Sequence, residues 1–366
     1  MSNQPFLCRF VDTVEDVKVT DPLRDILAQR CIVHEDNSTS RKVLMLTSDY
    51  DPEANLVGIG LRNRGIDYVR LNTDDIPHQI RVKYSIGPKS DLAIQFTIRK
   101  QIHNTSGVSV AWLRNFDIKE KNFDMSEPEG SFSLQQWNNA FETLQRNLSC
   151  KWISKPQATL QANDRAKQLS VAKSVGFDIP DTLITNDPDA ARDFYLSYGG
   201  EVVIKALAHH SVVVQGKVYS MFTRRMRNKD LSELGDLVYA PCILQEQLFG
   251  KSELRVTVVG DDVFAAELSP RSTVKKYGNT HCTASQDFSI RTFDLPDMIS
   301  TRCVEFIKSI GLRYGAIDFI RDNNEDLVFL EVNPTGDWYW IENKAKLPIT
   351  EAMVNLIEIL HKSELE

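Results

Sequence analysis

From residue 42 to about residue 150, short apolar runs alternate with stretches of helical period. The first run, Lys42-Val-Leu-Met-Leu-Thr47, is followed by turn-forming residues, a pattern typical of a buried strand that ends in a turn. Further strands are predicted at 66–71, 92–97 and 109–114, and helices are predicted to end at Arg64-Gly65 and to cover 134–148. This alternation predicts an α/β lobe over residues 42–150.

Two further units follow, since the alternation resumes at Cys150 and again at about Cys242. In the central unit, 151–241, Asn163 or Asp164 is a suitable N-cap for a helix that ends at Gly176, and residues 201–205 predict a buried strand. In the last unit, 242–366, the predicted elements are strands at 243–245, 255–259 and 263–267, a helix at 297–310, a hairpin at 315–332 and a helix at 349–361.

The hairpin carries the most informative polar residues of the chain. Glu331 and Asn333 are two positions apart and so lie on the same face of one strand, with Asp318 nearly opposite on the other. Two carboxylates and an amide oxygen are ligands that suit Mg²⁺. The alternative is an ordinary polar face of an antiparallel pair. Because acidic residues are disfavoured in strands, the pattern favours the metal site.

Other polar residues could complete a nucleotide site. Lys167 lies in the first turns of its helix and Lys205 closes an apolar strand, where a lysine can bind phosphate, although a surface lysine needs no such role. The segment that follows is either a connection between lobes whose backbone binds an adenine edge or an ordinary polar linker. Its candidate contacts are Gln245, Glu246 and Leu248, and Glu253 could reach a ribose.

Charge and cysteine usage narrow the class of protein. Fifty acidic and 43 basic residues give a formal charge of −7, which argues against a nucleic-acid-binding surface. Six cysteines lie far apart without a Cys-x-x-Cys pair, which predicts reduced thiols in a cytoplasmic protein rather than a zinc site. The sequence predicts neither a signal peptide nor a membrane span.

The order of elements resembles the ATP-grasp superfamily, and several motifs resemble its graspetide (microviridin-type) peptide macrocyclases. Glu331-Val-Asn333-Pro334 with Asp318 upstream is typical of the superfamily, whereas the Asn-Pro-x-Gly-x-Trp ending and Thr185-Asn-Asp-Pro188 point to this subgroup. The other matching segments are 42–77, Trp112-Leu-Arg114, 162–169, 180–185 and 254–260. The resemblance covers about residues 42–345. It implies an ATP-grasp fold with an N-terminal pre-ATP-grasp lobe, a central lobe and a C-terminal lobe.

The same resemblance implies an ATP-dependent ligase that acts with Mg²⁺ on a ribosomally made precursor (core) peptide. A side-chain carboxylate of the peptide would become an acylphosphate, and a hydroxyl or amine would then close an ω-ester or ω-amide ring. Asp318, Glu331 and Asn333 would hold the metal, the two lysines would neutralise phosphates, and Arg255 and Arg271 would steady the γ-phosphate and the acylphosphate. A homodimer is also implied.

The N-terminal extension, 1–41, resembles part of the substrate rather than part of the enzyme. Pro5-Phe6-Leu7-Cys8-Arg9-Phe10-Val11 follows the leader motif of microviridin precursors, Pro-Phe-Phe-Ala-Arg-Phe-Leu, which docks on the ligase and activates it. The prediction is a chain that carries its own leader-like activator, with Pro5, Phe6, Arg9 and Phe10 as its motif residues and the rest as a tether. The alternative is an amphipathic segment that packs on the domain.

Two positions depart from the family pattern. The loop after Lys205 lacks the glycines expected of a flexible phosphate cover, and Asp337 stands where Gln or Glu is expected. The basic run 224–229 could attract an acidic peptide or could be a solvated face. Two other functions therefore stay open, a ligase that uses free amino acids or a protein terminus, and a nucleotide sensor without turnover.

Overall fold

The structure of the protein is a computed structural model. It describes residues 12–13, 41–207, 211–214, 217–220, 223–270 and 288–364. The leader-like residues Pro5, Phe6, Arg9 and Phe10, and Arg271, lie outside the described residues.

Helices and strands alternate in parts of the described chain. The strands are β1 (Asp12–Thr13), β2 (Lys42–Thr47), β3 (Tyr68–Asn72), β4 (Ile80–Gly87), β5 (Ser90–Ile98), β6 (Gln101–Asn104), β7 (Val108–Leu113), β8 (Lys151–Trp152), β9 (Thr182–Thr185), β10 (Val202–Lys205), β11 (Ser211–Val214), β12 (Lys217–Ser220), β13 (Arg224–Arg225), β14 (Cys242–Glu246), β15 (Gly250–Val259), β16 (Asp262–Pro270), β17 (Phe288–Thr292), β18 (Tyr314–Asp322) and β19 (Leu327–Asn333). The α-helices are α1 (Pro52–Asn63), α2 (Pro128–Asn147), α3 (Pro156–Gln161), α4 (Arg165–Ser174), α5 (Pro188–Ser197), α6 (Asp297–Ser309), α7 (Tyr339–Ala345) and α8 (Ile349–Lys362). Among the described residues, β3 to β7 and β10 to β17 are runs of strands with no α-helix between them. The mixed α/β class predicted from the sequence is confirmed.

The N-terminal lobe is built on a parallel sheet of order β3-β2-β7-β8. Strand β2 is central and fully buried, which explains why it reads as a continuous apolar run rather than an alternating one. The predicted strand at 92–97 belongs instead to a separate antiparallel sheet, β4-β5-β6. Strands β4, β5 and β6 follow one another through short turns. Strand β5 therefore pairs with its two neighbours in the chain and not with the parallel sheet.

The central sheet has the order β13-β10-β14-β9 and is antiparallel. Strand β14 begins at Cys242 and pairs with both β9 and β10, so this sheet continues past residue 241. Gln245 and Glu246 are therefore members of a paired strand and not of a free linker. Strands β11 and β12 form a hairpin that lies between β10 and β13 in the chain. Strand β1, from the N-terminal extension, pairs with β12 and makes a small three-stranded sheet.

The C-terminal sheet, β17-β16-β15-β18-β19, is antiparallel and carries the predicted hairpin as β18 and β19. Its inner face packs on α6 and α4, and four aromatic rings meet there, those of Phe177, Phe306, Phe319 and Phe329. A second core joins this lobe to the N-terminal lobe, since α8 packs on α1 and on β2 and β7. The polar face of the sheet is thereby held against the other lobes.

No helix in the described part of the chain has both the length and the apolar character needed to cross a bilayer.

Candidate active site

Three charged residues form one row across neighbouring strands of the C-terminal sheet. Arg255 on β15 lies opposite Asp318 on β18, and Asp318 lies opposite Glu331 on β19. All three side chains are buried. The register confirms that Asp318 and Glu331 face each other across the hairpin, as their spacing predicts.

A β-bulge sets the direction of Glu331. The pairing shifts by one residue after Asp318, so that Leu330 has no partner on β18. Phe329 and Val332 both enter the hydrophobic core, although three positions separate them, and Leu330 and Glu331 both face away from it. Simple alternation would have placed Phe329 and Glu331 on the same face. The bulge therefore combines a buried aromatic anchor with an acidic site residue on one short strand.

Each acidic residue of the row pairs with an arginine. Arg255 Nη1 donates to both carboxylate oxygens of Asp318, at 3.0 and 2.8 Å. Arg165 Nη1 lies 2.9 Å from a carboxylate oxygen of Glu331. Although burial opposes the charge of Arg255, the neighbouring Asp318 raises the pKa of its guanidinium above the ordinary value. Arg255 thus stays charged in a position that water hardly reaches.

Helix α4 fastens β19 at the level of the site. Asp164 caps the helix by accepting from the backbone N–H of Lys167 at 3.1 Å, as predicted for this position. Gln168 donates to the carbonyl of Val332 at 3.0 Å and accepts from its N–H at 3.0 Å. Because Val332 lies between Glu331 and Asn333, this pair of hydrogen bonds fixes both site residues.

Sequence reasoning missed Arg165 and Gln168. The available signal was their spacing of three, which places two polar residues on one face of the capped helix. The predicted residue between them, Lys167, directs its Nζ to Gln161 Oε1 at 3.4 Å. In this structure Arg165, rather than Lys167, contacts the acidic row.

Lys205 is buried at the end of β10 and faces the same row. Burial lowers the pKa of its ammonium group to about 8, and the charge of Glu331 partly opposes this shift. A buried lysine that has no charge partner at hydrogen-bonding distance among the described residues suits a ligand that brings its own negative charge.

A pocket adjoins Lys205 between the central and C-terminal sheets. Its lining comprises Pro180, Val203, Lys205, Thr223, Gln245, Glu246, Gln247, Leu248, Ile320 and Leu330. Gln247 is buried, and neither its amide nitrogen nor its amide oxygen has a hydrogen-bond partner within the described part of the chain. An apolar floor with an unsatisfied amide fits a flat heteroaromatic ring that both donates and accepts.

The other candidates lie around this pocket with different contacts. Gln245 donates to Thr182 Oγ1 at 2.8 Å, and Glu246 accepts from the backbone N–H of Asp181 at 3.1 Å, so both side chains are engaged within the central lobe. Leu248 lines the pocket directly. Glu253 is buried on β15 opposite Ile320, which also lines the pocket.

The basic run 224–229 is partly neutralised. Arg224 lies 2.7 Å from Asp230, and Arg225 lies 2.6 Å from Glu201. These pairs tie the strand β13 to its surroundings, which favours a structural use of the two arginines over an attractive surface for acidic peptides.

The donor set of the row fits a hard divalent cation. Within the described residues no three His, Cys, Asp or Glu side chains cluster as a metal site, so the candidate set is two carboxylates and the Asn333 amide. These oxygen ligands leave several coordination positions for phosphate and water, the arrangement that Mg²⁺ usually adopts. Asn333 Oδ1 accepts from the N–H of Thr335 at 3.1 Å, which holds the amide in place.

The chain is similar in sequence to proteins described as probable ligases. No family model matches it. It is 26% identical over 239 residues to a probable alpha-L-glutamate ligase of Xanthomonas oryzae pv. oryzae strain MAFF 311018, which is 64% of this chain and 78% of that protein. A protein of the same description from Legionella pneumophila strain Corby is 23% identical over 239 residues, covering 64% and 76%.

The similarity in structure extends over more of the chain. Macrocyclase MdnC of Microcystis aeruginosa MRC, solved with the precursor peptide MdnA, has a TM-score of 0.78 and 28% identity, and the match covers 88% of this chain and 100% of that one. A RiPP-associated ATP-grasp ligase of Chryseobacterium gregarium, solved with ADP and a leader and core peptide, has a TM-score of 0.79 at 23% identity, covering 89% and 98%. The second likeness is one of fold. Together they confirm the predicted ATP-grasp architecture.

Proposed function

Because the chain is an ATP-dependent ligase with the ATP-grasp fold, we propose that it is a peptide macrocyclase. Its substrate is a ribosomally made peptide, in which it joins a side-chain carboxylate to a hydroxyl or an amine. The observation that carries this proposal is the likeness to MdnC over that whole chain, combined with an intact acidic row at the position where the nucleotide would react.

The nucleotide binds between the central and C-terminal sheets. The adenine enters the pocket whose floor is formed by Ile320 and Leu330. There the amide nitrogen of Gln247 donates to the ring and its amide oxygen accepts from it. The phosphates extend toward Lys205, Arg165 and Arg255, whose positive charges offset those of a triphosphate. Glu253 then lies on the ribose side of the pocket.

Asp318, Glu331 and Asn333 would hold Mg²⁺, which when bound supplies positive charge to the phosphate oxygens. The arginines that pair with the two carboxylates in this structure would then turn to the phosphates. Arg255 and, by family resemblance, Arg271 steady the γ-phosphate and the acylphosphate. The protein thus contributes position and charge rather than a covalent nucleophile.

The reaction proceeds in two balanced steps. A carboxylate oxygen of the peptide attacks the γ-phosphorus, and the bond to the β-phosphate oxygen breaks to release ADP. A hydroxyl or amine of the same peptide then attacks the acyl carbon, loses its proton and displaces inorganic phosphate. Each ring formed removes one water from the peptide and consumes one ATP.

The N-terminal extension activates the enzyme in cis. Strand β1 follows directly on the leader-like segment that ends at Val11, and it pairs antiparallel with β12. Addition of an extended segment to a free sheet edge is a common mode of peptide recognition. The hairpin of β11 and β12 follows Lys205 in the chain and precedes β13, which pairs with β10 again. Docking on this hairpin is therefore connected through β10 to the phosphate end of the site.

Protonation of Lys205 should accompany nucleotide binding. With a pKa of about 8, the free lysine is about half neutral at pH 8, and a bound phosphate favours the charged form, so binding of ADP should take up about half a proton at pH 8. At pH 6.5 the lysine is already charged and the uptake should be close to zero. Calorimetry in buffers of different ionisation enthalpy measures this uptake.

The matched control for this experiment is Lys205→Arg, since arginine stays charged throughout the range. That variant should bind ADP without the extra uptake at pH 8. Equal uptake in both proteins would show that another group titrates and would contradict the assignment.

The experiment that tests the function is the mass of a leaderless core peptide after incubation with ATP, Mg²⁺ and the full chain. The peptide contains Ser or Thr and Glu or Asp residues, and the expected result is a loss of one water per ring. Free glutamate is the second substrate to offer, because the curated relatives are described as probable alpha-L-glutamate ligases. An unchanged peptide, with ADP formed in the presence of glutamate, would replace the macrocyclase by an amino-acid ligase. ADP formation in neither case, with ATP bound and intact, would indicate a sensor.

A further inference from the structure

A buried arginine of the N-terminal lobe contacts the segment that leaves the candidate metal site. Arg114 follows β7 at the carboxyl edge of the parallel sheet, and its side chain is only 2% exposed. Arg114 belongs to the segment Trp112-Leu-Arg114, which matches the family pattern, but none of the roles described above involves it. We call the residues Asp51, Glu53, Arg114 and Asp337 the lobe-spanning cluster.

The cluster combines one guanidinium with three carboxylates from two lobes. Arg114 Nε lies 2.9 Å from Asp51, its Nη2 lies 3.2 Å from Glu53, and it also pairs with Asp337. Although burial opposes its charge, these carboxylates raise the pKa of Arg114 above the ordinary value. Arg114 therefore stays charged and is fixed from the N-terminal side by two carboxylates of α1 and its cap.

Aromatic rings enclose the guanidinium on both sides of the lobe contact. Its central carbon lies 4.9 Å from the ring centre of Trp338 and 5.8 Å from that of Trp112. Glu53 also accepts from the backbone N–H groups of Trp338 and Tyr339, at 2.9 and 3.0 Å, at the start of α7. A planar guanidinium can stack and donate in several directions at once, which a lysine cannot.

The donors of Arg114 that remain point at the backbone after Asn333. Nη1 donates to the carbonyl of Thr335 at 3.3 Å and to that of Gly336 at 3.2 Å. The segment 333–337, which we call the exit turn, is closed at its other end by the bond from Thr335 N–H to the Asn333 side chain. Arg114 thus holds the far end of a turn whose first residue is a candidate metal ligand.

The exit turn also packs directly on Arg255. A Cβ atom on Gly336 would lie 2.7 Å from Arg255 Nη2 and 2.9 Å from the Cβ of Ala316, so only glycine permits this approach. Since Arg255 in turn donates hydrogen bonds to Asp318, a shift of the exit turn would displace both Arg255 and Asp318. The adenine pocket has no residue in this turn.

We propose that Arg114 is a positioning residue for the metal and phosphate end of the site. It fixes the exit turn from the N-terminal lobe and, through that turn, the Asn333 amide and the Arg255 guanidinium. The proposal rests on the proposed function, because it assumes that a nucleotide-bound divalent cation occupies this end of the site. It adds that the N-terminal lobe, which contributes no ligand to the cation, determines how tightly the cation binds.

The test is the binding of Mn²⁺ to the ADP complex of the full chain, measured by electron paramagnetic resonance. Arg114→Lys keeps the charge but cannot reach two carbonyls and three carboxylates together, so we expect the Mn²⁺ dissociation constant to rise about tenfold. ADP affinity without metal should change less than twofold, because the adenine pocket lies apart from the turn and ADP lacks the γ-phosphate that Arg255 is assigned to steady. If Arg114 only stabilised the fold, the substitution would lower the stability of the protein and would change the Mn²⁺ dissociation constant and the ADP affinity to the same extent.

The matched control is Arg64→Lys, because Arg64 also links the lobes, from the C-cap of α1 to Glu351 and Glu358 of α8, but away from the site. It should leave the Mn²⁺ constant unchanged. If Arg114→Lys does not fold, Asp51→Asn removes the carboxylate that orients Arg114 Nε and should raise the constant about threefold. A constant within twofold of the wild type in the folded variant, or an equal rise in Arg64→Lys, would overturn the proposal. If the wild type itself binds no Mn²⁺ with ADP, the proposed function fails instead.

Discussion

Glu331→Gln should reduce ring formation and ADP release roughly a thousandfold while the protein stays folded. The substitution keeps the shape of the side chain and removes its charge at the centre of the acidic row. Glu331 then no longer balances Arg165, which lies 2.9 Å away, and the candidate cation site loses one of its two carboxylates. Both effects act where charge develops during phosphoryl transfer, so the turnover number should fall much more than the affinity for ADP. Single-turnover assays with mass detection of the core peptide measure the loss.

Glu267→Gln provides a closely matched control. Glu267 is a buried carboxylate on the adjacent strand β16 of the same sheet, and it too pairs with arginines, Arg291 and Arg321. It lies opposite Leu254, one position from Arg255, and so faces the other side of the sheet. We expect it to lose stability but to keep its rate within a few-fold. A rate for Glu331→Gln within tenfold of the wild type, or an equal loss in the control, would remove Glu331 from the reaction.

The positions of the major elements could be predicted because local pattern decided them. Strand β2 is a continuous apolar run at the centre of a parallel sheet, and Asp164 caps α4 through its own side chain. The short polar turn between two strands also brought Asp318 close to a position opposite Glu331, and the bulge completes that pairing. In each case neighbouring residues contain most of the information.

Other features could not be predicted because distant segments determine them. The bulge at Leu330 depends on how Phe329 and Val332 fit a core formed with α4 and α6. Arg165 and Gln168 acquire a role only when α4 docks against β19, because their spacing places them on one face of the helix but does not indicate which strand that face contacts. Asp337 looked like a departure from the family pattern, and its pairing with Arg114 arises from the packing of two lobes.

Removing residues 1–40 should lower the rate on a leaderless core peptide roughly a hundredfold, the change expected when a mostly populated active state becomes a state of about 1%. A synthetic peptide of residues 1–20, added in trans, should restore the rate. The described hydrophobic cores contain no residue before Val43, so the shortened chain should fold and bind ADP as before. An undiminished rate, or a loss that the free peptide does not restore, would contradict activation by the extension.

The tether gives this rescue a characteristic concentration dependence. A segment joined by a flexible linker has an effective concentration of about 1 mM at its site. The rate of the full chain should therefore not change when leader peptide is added at concentrations well below that value. The shortened chain should respond at much lower concentrations if the intrinsic affinity is micromolar. A full chain that is further activated by micromolar peptide would show that its own extension leaves the docking edge free.

The docking register can be tested with two cysteine pairs that differ in one position. Asp12 lies opposite Ser220 on β12, and Ser220 lies opposite Ser211 on β11. Asp12→Cys with Ser220→Cys places the two residues on adjacent strands, about 5 Å apart, within the range of a disulfide, whereas Asp12→Cys with Ser211→Cys separates them by about 10 Å. Peptide mapping after mild oxidation should therefore find the first bridge and not the second. Because the bridge locks the extension on the hairpin, the oxidised protein should cyclise the core peptide without any response to added leader peptide, even above the concentration of about 1 mM at which the reduced protein begins to exchange its own extension. If both pairs bridge equally, or if the bridge inactivates the enzyme, the pairing of β1 with β12 is not the activating contact.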